Sequence, residues 1–171
     1  MGRTCKVIVT GAFNAGKSSF IRTISDIPVV STERRITDEL ARIKGETTVA
    51  MDYGQVNIGG RLFHLFGTPG QERFEFMWDI LSKEADALLI LVDSTDRSSF
   101  PTARRILRRL RSRRRLPYLV VATKQDGRRA MPPEKIAAAL GVRPPSFVVS
   151  CDARSKQSVH AVLVQLAQLI R

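Results

Sequence analysis

Eight residues near the amino terminus constrain the fold of this chain more than any other feature. They follow the pattern G-x-x-x-x-G-K-S over residues 11–18. The β-branched run 6–10 precedes the pattern and the segment 19–24 follows it, so it joins a predicted strand to a predicted helix. In that setting glycines let the backbone wrap an anion, and N–H groups at the helix start point at phosphate oxygens. The sequence therefore predicts a phosphate-binding loop for a nucleoside triphosphate.

The residue types of this loop indicate separate tasks. Lys17 supplies a mobile positive charge, and Ser18 offers a hydroxyl ligand for Mg²⁺. A chance glycine-lysine turn is the alternative, but it does not account for the strand and the helix on either side. We expect the nucleotide to contact the following loop residues: Gly11, Phe13, Asn14, Ala15, Gly16, Lys17, Ser18 and Ser19.

Size and composition are those of one globular domain. A length of 171 residues is enough for a single hydrophobic core, so we expect one domain over 1–171. The sequence shows no membrane span, signal peptide or lipidation pattern, and we expect a cytoplasmic protein without a lipid anchor. Cys5 and Cys151 have no neighbours at metal-ligand spacing, so we expect buried reduced thiols.

The charge balance is strongly basic. Lysine and arginine total 28 against 16 acidic residues, a formal net charge of +12. Much of the excess lies in a predicted helix at 101–115, where Arg104, Arg108, Arg111 and Arg115 form a row that we expect to face water. This arginine face is either a solvated surface or a contact for an anionic partner.

The pattern of the whole chain predicts an α/β fold. Apolar runs such as 87–92 are typical of parallel strands that are buried on both faces. We therefore expect a six-stranded, mostly parallel sheet with one antiparallel edge strand and about five helices. The predicted strands are 5–10, 49–58, 61–66, 87–92, 118–123 and 146–150. The predicted helices are 17–25, 72–83, 101–115, 133–140 and 155–170.

Gly59 and Gly60 set the register of the predicted antiparallel pair. Two residues are the length of a tight hairpin loop between strands 49–58 and 61–66. Counting outward from that loop places Asp52 opposite Gly67, so the two positions share one face of the sheet. A bulge would shift this register and leave Asp52 as an exposed strand residue, which is the alternative.

A second motif, at 123–126, predicts which base is bound. It reads Thr123-Lys124-Gln125-Asp126 and follows an apolar strand, at the end where α/β folds hold ligands. The carboxylate of Asp126 can accept from two guanine donors that adenine lacks, and the stem of Lys124 can pack along the base. The end of the last strand, Ser150, Cys151 and Asp152, would lie near the guanine carbonyl.

Together these motifs resemble the Ras-like small GTPase family, specifically its bacterial branch related to the gliding-motility polarity GTPase. Residues 47–53 resemble switch I and residues 67–74 resemble switch II. The resemblance implies a P-loop NTPase G domain that binds GTP or GDP with Mg²⁺ and hydrolyses GTP slowly. It also implies that Thr48 binds Mg²⁺ and the γ-phosphate, that Gly70 contacts the γ-phosphate, and that Gln71 orients the attacking water.

One departure from the family pattern concerns the metal. Gly67 stands where the family usually has Asp, so the usual carboxylate near Mg²⁺ is missing. Because Asp52 is predicted to lie opposite Gly67, we expect it to supply that carboxylate from the neighbouring strand.

The segment 26–46 is longer than a Ras-like switch I. Ile36, Leu40 and Ile43 recur in it at helical spacing, which predicts a helix. This helix is either a solvated surface element or a mobile element that carries an arginine to the phosphates.

Two functions remain open. The first is a guanine-nucleotide switch, and the second is a pseudo-GTPase that holds nucleotide as a structural or partner-docking element. A small-molecule P-loop kinase is disfavoured by the motif at 123–126. The resemblance implies GTPase-activating and effector proteins as partners, including roadblock-type dimers.

Overall fold

A central sheet of seven strands organises the fold. The computed structural model describes residues 3–12, 14–36, 47–68, 83–113 and 115–170. It describes the backbone alone at 31–36, 47–50, 110, 111 and 113. The strand order is β2-β3-β4-β1-β5-β6-β7. β3 runs antiparallel to both of its neighbours, and the other pairs are parallel. The strands are β1 (Thr4–Gly11), β2 (Val30–Ile36), β3 (Thr47–Ile58), β4 (Arg61–Gly67), β5 (Ala87–Asp93), β6 (Tyr118–Thr123) and β7 (Val148–Cys151).

Four α-helices lie within the described residues. They cover both faces of the sheet, so the predicted α/β fold class is confirmed. The predicted helix at 72–83 falls almost wholly outside the described residues, which accounts for one fewer helix than expected. The helices are α1 (Lys17–Ile24), α2 (Phe100–Arg113), α3 (Pro133–Leu140) and α4 (Lys156–Leu169), with 3₁₀ turns at Arg97–Ser99 and Pro145–Phe147.

The edge strand β2 was not predicted. It ends at Ile36, the first of the three residues at helical spacing, so the helix prediction is wrong for that residue. β3 is 12 residues long, and along the edge that does not face β4 its first half, residues 47–53, pairs with β2. Ladder hydrogen bonds along that half outweigh a weak local helical spacing. Leu40 and Ile43 lie outside the described residues.

The hairpin register is the one that the sequence predicts. Ile58 pairs with Arg61, and Asp52 pairs with Gly67. No bulge interrupts the seven paired positions of β3 and β4. Asp52 and Gly67 therefore share a face of the sheet, the face on which α1 packs.

Two apolar clusters fill the space between the sheet and its helices. Val7 and Val9 belong to the cluster beneath α1 and α4, whereas Ile8 belongs to the cluster beneath α2 and α3. Every residue of β5 is buried, as expected for a central parallel strand. Cys5 and Cys151 are buried free thiols, which confirms that prediction.

The predicted arginine row on α2 needs one correction. Phe100, Ala103 and Leu107 are buried as expected. Arg104 is half-buried, and its Nη2 donates to the carbonyl of Ala139 near the end of α3 at 2.6 Å. Because α3 packs beside α2 and captures Arg104, the exposed arginines are Arg105, Arg108 and Arg115. The side chain of Arg111 lies outside the described residues.

No helix among the described residues has both the length and the apolar character that crossing a membrane requires.

Helix α1 approaches the sheet closely because two strand positions carry no side chain. A Cβ at Gly54 would stand 2.8 Å from Ile21 Cγ2 and 2.8 Å from Ser25 Oγ. A Cβ at Gly67 would stand 2.9 Å from Ile21 Cδ1. Ser25 Oγ, just past α1, also accepts from the N–H of Gln55 at 3.1 Å. The helix that begins at the phosphate loop is therefore held against β3 and β4.

This close approach predicts the cost of filling the space. Gly54→Ala should lower the free energy of unfolding by about 1–3 kcal/mol, because Ile21 and Ser25 must move to admit the new methyl group. Urea unfolding followed by far-UV circular dichroism measures the loss. Gly59→Asn is the matched control, since a Cβ there meets nothing within 4 Å and Asn tolerates a φ of 58°. Equal losses in the two variants would contradict the close approach.

Candidate functional site

A cavity of about 360 Å³ lies at the carboxyl ends of β1 and β6. Parallel α/β sheets hold their ligands at this edge. The cavity brings residues of the phosphate loop together with those of the 123–126 motif and of the segment after β7. It is lined by Ala15, Gly16, Ser19, Thr95, Thr123, Lys124, Asp126, Gly127, Asp152, Ala153 and Arg154.

The phosphate loop has the backbone that its glycines allow. Gly11 has φ 146°, and a Cβ there would collide with the carbonyl oxygen of Leu91 on β5. Gly16, at the N-cap of α1, has φ 100°, and Asn14 has φ 65°. Gly16 offers no side chain to cap the helix, so the first N–H groups of α1 remain available to an anion.

The side chain of Lys17 contacts the backbone of the phosphate loop. Its Nζ donates to the carbonyls of Gly11 at 2.7 Å and Ala12 at 2.9 Å. Burial lowers the pKa of Lys17 to about 8, although the carboxylate of Asp52 opposes that shift. The ammonium is thus held at the loop and is incompletely hydrated, which suits a group that is to pair with phosphate oxygens.

Ser18 and Asp52 meet beside Lys17. Ser18 Oγ donates to Asp52 Oδ2 at 2.6 Å, so the carboxylate from β3 reaches the first turn of α1. A hydroxyl and a carboxylate are oxygen donors of the kind that Mg²⁺ takes, and the pair therefore fits this ion. Gly67 contributes no carboxylate, and Ile21 Cδ1 stands close to where its side chain would begin.

Thr68 continues β4 alongside the end of β1. Its N–H donates to the carbonyl of Val9 at 3.0 Å, and its hydroxyl donates to Thr10 Oγ1 at 2.9 Å. Both threonines are buried. These bonds place the beginning of the segment that resembles switch II next to the phosphate loop.

Thr123 joins the end of β6 to the phosphate loop. It is buried, and its hydroxyl shares its one proton between the carbonyls of Ala15 at 2.8 Å and Val92 at 3.1 Å. The hydroxyl therefore connects the phosphate loop to β5.

Lys124 makes a second connection to the loop. It has φ 60°, and its Nζ donates to the carbonyl of Asn14 at 3.1 Å and to Asp93 Oδ2 at 2.8 Å. Burial raises the pKa of Asp93, but hydrogen bonds from Lys124 and Thr95 outweigh burial and hold that pKa below its usual range. The carboxylate stays ionised and fixes the lysine stem along the cavity wall.

Arg154 was not predicted as a site residue. Its Nη2 donates to Asp126 Oδ2 at 3.0 Å, while its backbone N and Nε donate to Asp152 Oδ1 at 3.0 and 3.3 Å. The side chains of Arg154 and Asp126 are 71% and 64% exposed, so their ion pair is weak and a better partner can displace it. A cation two residues after Asp152 was the only sequence signal for it.

The remaining predicted residues are placed as follows. Ser150 and Cys151 end β7 without lining the cavity, and Cys151 is buried. Thr48 lies on β3 opposite Arg35 of β2, and its side chain is not described. Phe13, Gly70 and Gln71 lie outside the described residues, so their roles stay predictions.

The lowered pKa of Lys17 predicts how phosphate binding depends on pH. The affinity for GDP should fall as the pH rises through about 8, because the free protein then loses the ammonium that pairs with phosphate. The slope should reach at most roughly tenfold per pH unit, the limit for one proton. Isothermal titration of GDP from pH 6.5 to 9.5 measures it. Lys17→Met should bind weakly with a flatter profile, and equal slopes in both proteins would contradict the assignment.

Comparison with known proteins agrees with this geometry. The chain is 31% identical over 123 residues to an uncharacterised protein of Methanocaldococcus jannaschii, covering 71% of this chain and 70% of that one. It is 30% identical over 140 residues to ADP-ribosylation factor-like protein 10 of Mus musculus, covering 80% of this chain and 52% of that one. The fold matches that of the Arl6 BBS3 small GTPase from Trypanosoma brucei with bound nucleotide analogue GppNp. The TM-score is 0.75 at 19% identity, and the match covers 96% of both chains.

The family assignment rests on a match that spans nearly the whole chain. Residues 1–170 match the model of the ADP-ribosylation factor family. The resemblance to Ras-like small GTPases is confirmed at this level, whereas the bacterial branch related to gliding motility stays a prediction. The chain belongs to the ADP-ribosylation factor family of small GTPases.

Proposed function

We propose that this chain is a guanine-nucleotide switch that binds GTP or GDP with Mg²⁺ and hydrolyses GTP slowly. The observation that carries the proposal is the single cavity in which the start of α1 and Asp126 both take part. One end offers Ala15 and Gly16 of the phosphate loop, and the other offers the carboxylate of Asp126. Membership of a family of nucleotide-binding switches supports this function.

At the phosphate end, this chain supplies charge and fixed donors. Lys17 exchanges the carbonyls of Gly11 and Ala12 for phosphate oxygens, and the N–H groups at the start of α1 bind the same anion. Mg²⁺, when bound, neutralises the phosphate charge. Ser18 and Thr48 would ligate it directly, and Asp52 would act on it from outside the ligand shell through Ser18. Positioning and charge neutralisation are most of what phosphoryl transfer requires from a protein.

At the base end, Asp126 selects guanine. Its carboxylate accepts from the ring N–H and the exocyclic amine of guanine, whereas adenine lacks that pair of donors. Arg154 must release Asp126 for this contact, and its bond to Asp152 Oδ1 keeps it nearby. Lys124, held by Asp93, lies along the cavity wall where the base would pack.

The switch itself depends on the γ-phosphate. Thr48 and Gly70 would bind that group in the GTP form and lose it after hydrolysis, so the segments that carry them change their order. Gln71 would orient the attacking water. These roles come from the family resemblance.

A second candidate function is a pseudo-GTPase that binds nucleotide without significant turnover. Gly67 favours it, because no carboxylate arises from that position and Ile21 fills the adjoining space. Measured GTP turnover with and without excess Mg²⁺ separates the two candidates. A protein that binds GTP with guanine selectivity and shows no turnover is the pseudo-GTPase.

We further propose a single G domain over 1–171 whose partners are GTPase-activating and effector proteins, including the roadblock-type dimers of the bacterial branch. The exposed arginines of α2, Arg105 and Arg108, are proposed as a contact for anionic partners.

The guanine assignment predicts a change of base preference. Asp126→Asn should weaken GTP binding by about 10- to 100-fold, the effect of losing one bidentate base contact, and should favour xanthosine triphosphate, whose ring oxygen accepts from the new amide. Competition against a fluorescent guanine nucleotide measures both. Glu134→Gln, which removes an exposed carboxylate on α3, is the matched control. Equal affinity of the unmodified protein for ATP and GTP would remove the assignment.

The pairing of Ser18 and Asp52 predicts a metal phenotype. Asp52→Ala should raise the Mg²⁺ concentration needed for GTP hydrolysis, and for Mg²⁺-dependent GDP affinity, by about tenfold. Thermal unfolding shows whether stability is retained, and Glu134→Ala is the charge-matched control. Adding Gly67→Asp together with Ile21→Val, which removes the methyl group 2.9 Å from the new Cβ, should recover part of the loss. An unaltered Mg²⁺ dependence in Asp52→Ala would show that Asp52 plays no part.

A further inference from the structure

A second cavity, of about 270 Å³, opens at the opposite edge of the sheet. It lies where β1 begins and just before β6, at the amino ends of the parallel strands. Arg3, Arg61 and Arg115 line it, and Asp86 is its one acidic residue. None of these residues lines the cavity at the carboxyl ends of the strands.

The charges of this cavity do not cancel. Three guanidinium groups face one carboxylate, so the lining carries a formal charge of 3 − 1 = +2. The Oδ2 of Asp86 accepts a hydrogen bond from the N–H of Lys6 at 2.8 Å. Arg61 is held in place, because its Nη1 donates to the carbonyl of Ala167 on α4 at 3.2 Å.

The two other arginines are available to a ligand. Arg3 and Arg115 are exposed, and neither guanidinium group makes a hydrogen bond or ion pair with any residue that the structure describes. Guanidinium groups present their donors in a fixed fork that matches phosphate oxygens, which favours a phosphate-bearing ligand.

Cys5 lies beneath these arginines and adds no competing charge. It is 2% exposed. Burial raises the pKa of its thiol to about 11, with a further contribution from Asp86, while Arg61 and Arg3 oppose the shift. The thiol therefore stays protonated at neutral pH. Leu116, Pro117 and Ile170 supply apolar contact surface in the same cavity.

The surface that leads to the cavity is also cationic. Arg105 and Arg108 are exposed on α2, and the chain continues from this helix to Arg115. No acidic residue occurs between Arg97 and Gln125. The formal charges along this stretch of the chain are all positive.

We propose that this cavity binds a small ligand with a phosphomonoester or diphosphate group, separately from the nucleotide site. The formal charge of +2 calls for at least two negative charges on the ligand. A volume of about 270 Å³ is at the small end of ligand cavities, so it suits a phosphorylated metabolite or a lipid headgroup better than a second nucleotide.

The test uses inositol 1,4,5-trisphosphate as the probe, titrated into ¹⁵N-labelled full-length protein with excess GDP. Amide shifts should appear at Thr4, Cys5 and Leu116, whereas Gly11 and Gly16 report any binding at the phosphate loop. Arg3→Gln with Arg115→Gln should raise the Kd by about tenfold or more, since two charged donors are lost. Asp86→Asn should lower the Kd, because a repelling charge disappears while the amide oxygen still accepts from Lys6.

A matched control removes the same charge elsewhere. Arg22→Gln with Lys135→Gln lies on the exposed faces of α1 and α3 and should change the Kd by less than about twofold. Thermal unfolding of each variant shows that the fold is retained. An equal rise in the Kd for both pairs, shifts confined to Gly11 and Gly16, or no binding at low salt would overturn the proposal.

A vesicle arm separates the two sources of the phosphate group. Vesicles of phosphatidylcholine with phosphatidylinositol 4,5-bisphosphate are compared with phosphatidylserine vesicles of matched total charge. Binding of the free probe without selective binding of the phosphoinositide vesicles indicates a soluble ligand, and binding of both the free probe and the phosphoinositide vesicles indicates a lipid headgroup. Equal binding to both kinds of vesicle would overturn the proposal, because charge alone would then account for it.

Discussion

Two consecutive residues at the end of β6 hold the nucleotide cavity together. The hydroxyl of Thr123 donates to the carbonyl of Ala15, and the ammonium of Lys124 donates to the carbonyl of Asn14. A buried carbonyl that lost such a partner would cost about 1–3 kcal/mol. The same residues bind β5 through the carbonyl of Val92 and the carboxylate of Asp93. The phosphate end and the base end of the cavity are thus parts of one hydrogen-bonded unit, and neither is positioned without the other.

The other side of the phosphate loop depends on how closely α1 approaches the sheet. Ile21 occupies the space above Gly54 and Gly67, and this contact brings Ser18 within reach of Asp52. The glycine at 67 therefore has two consequences. It removes the carboxylate that Ras-like proteins usually place there, and it allows the packing that presents Asp52 from β3 instead. A side chain at position 67 would change both the metal-binding groups and the packing of α1. The two effects can be separated only if Ile21 is shortened at the same time.

The two cavities differ in how their charges are arranged. At the carboxyl edge, cations and anions are paired, as in Lys124 with Asp93 and Arg154 with Asp126. At the amino edge, Arg3 and Arg115 have no such partners within the described residues. The carboxyl-edge cavity is therefore arranged for a ligand with both donors and acceptors, and the amino-edge cavity for an anion. Because they share no residue, both can be occupied at once.

Local pattern was enough for the phosphate loop, the central strands and the hairpin register that places Asp52 opposite Gly67, because each follows from short-range periodicity and turn length. It failed where a distant segment decided the outcome. Val30–Ile36 forms a strand because β3 offers it the edge opposite β4, and Arg104 is half-buried because its guanidinium donates to a carbonyl of α3. Arg154 and the arginine cavity arise from contacts between residues far apart in the chain. Side-chain partners of that kind depend on packing in three dimensions, for which sequence spacing carries no signal.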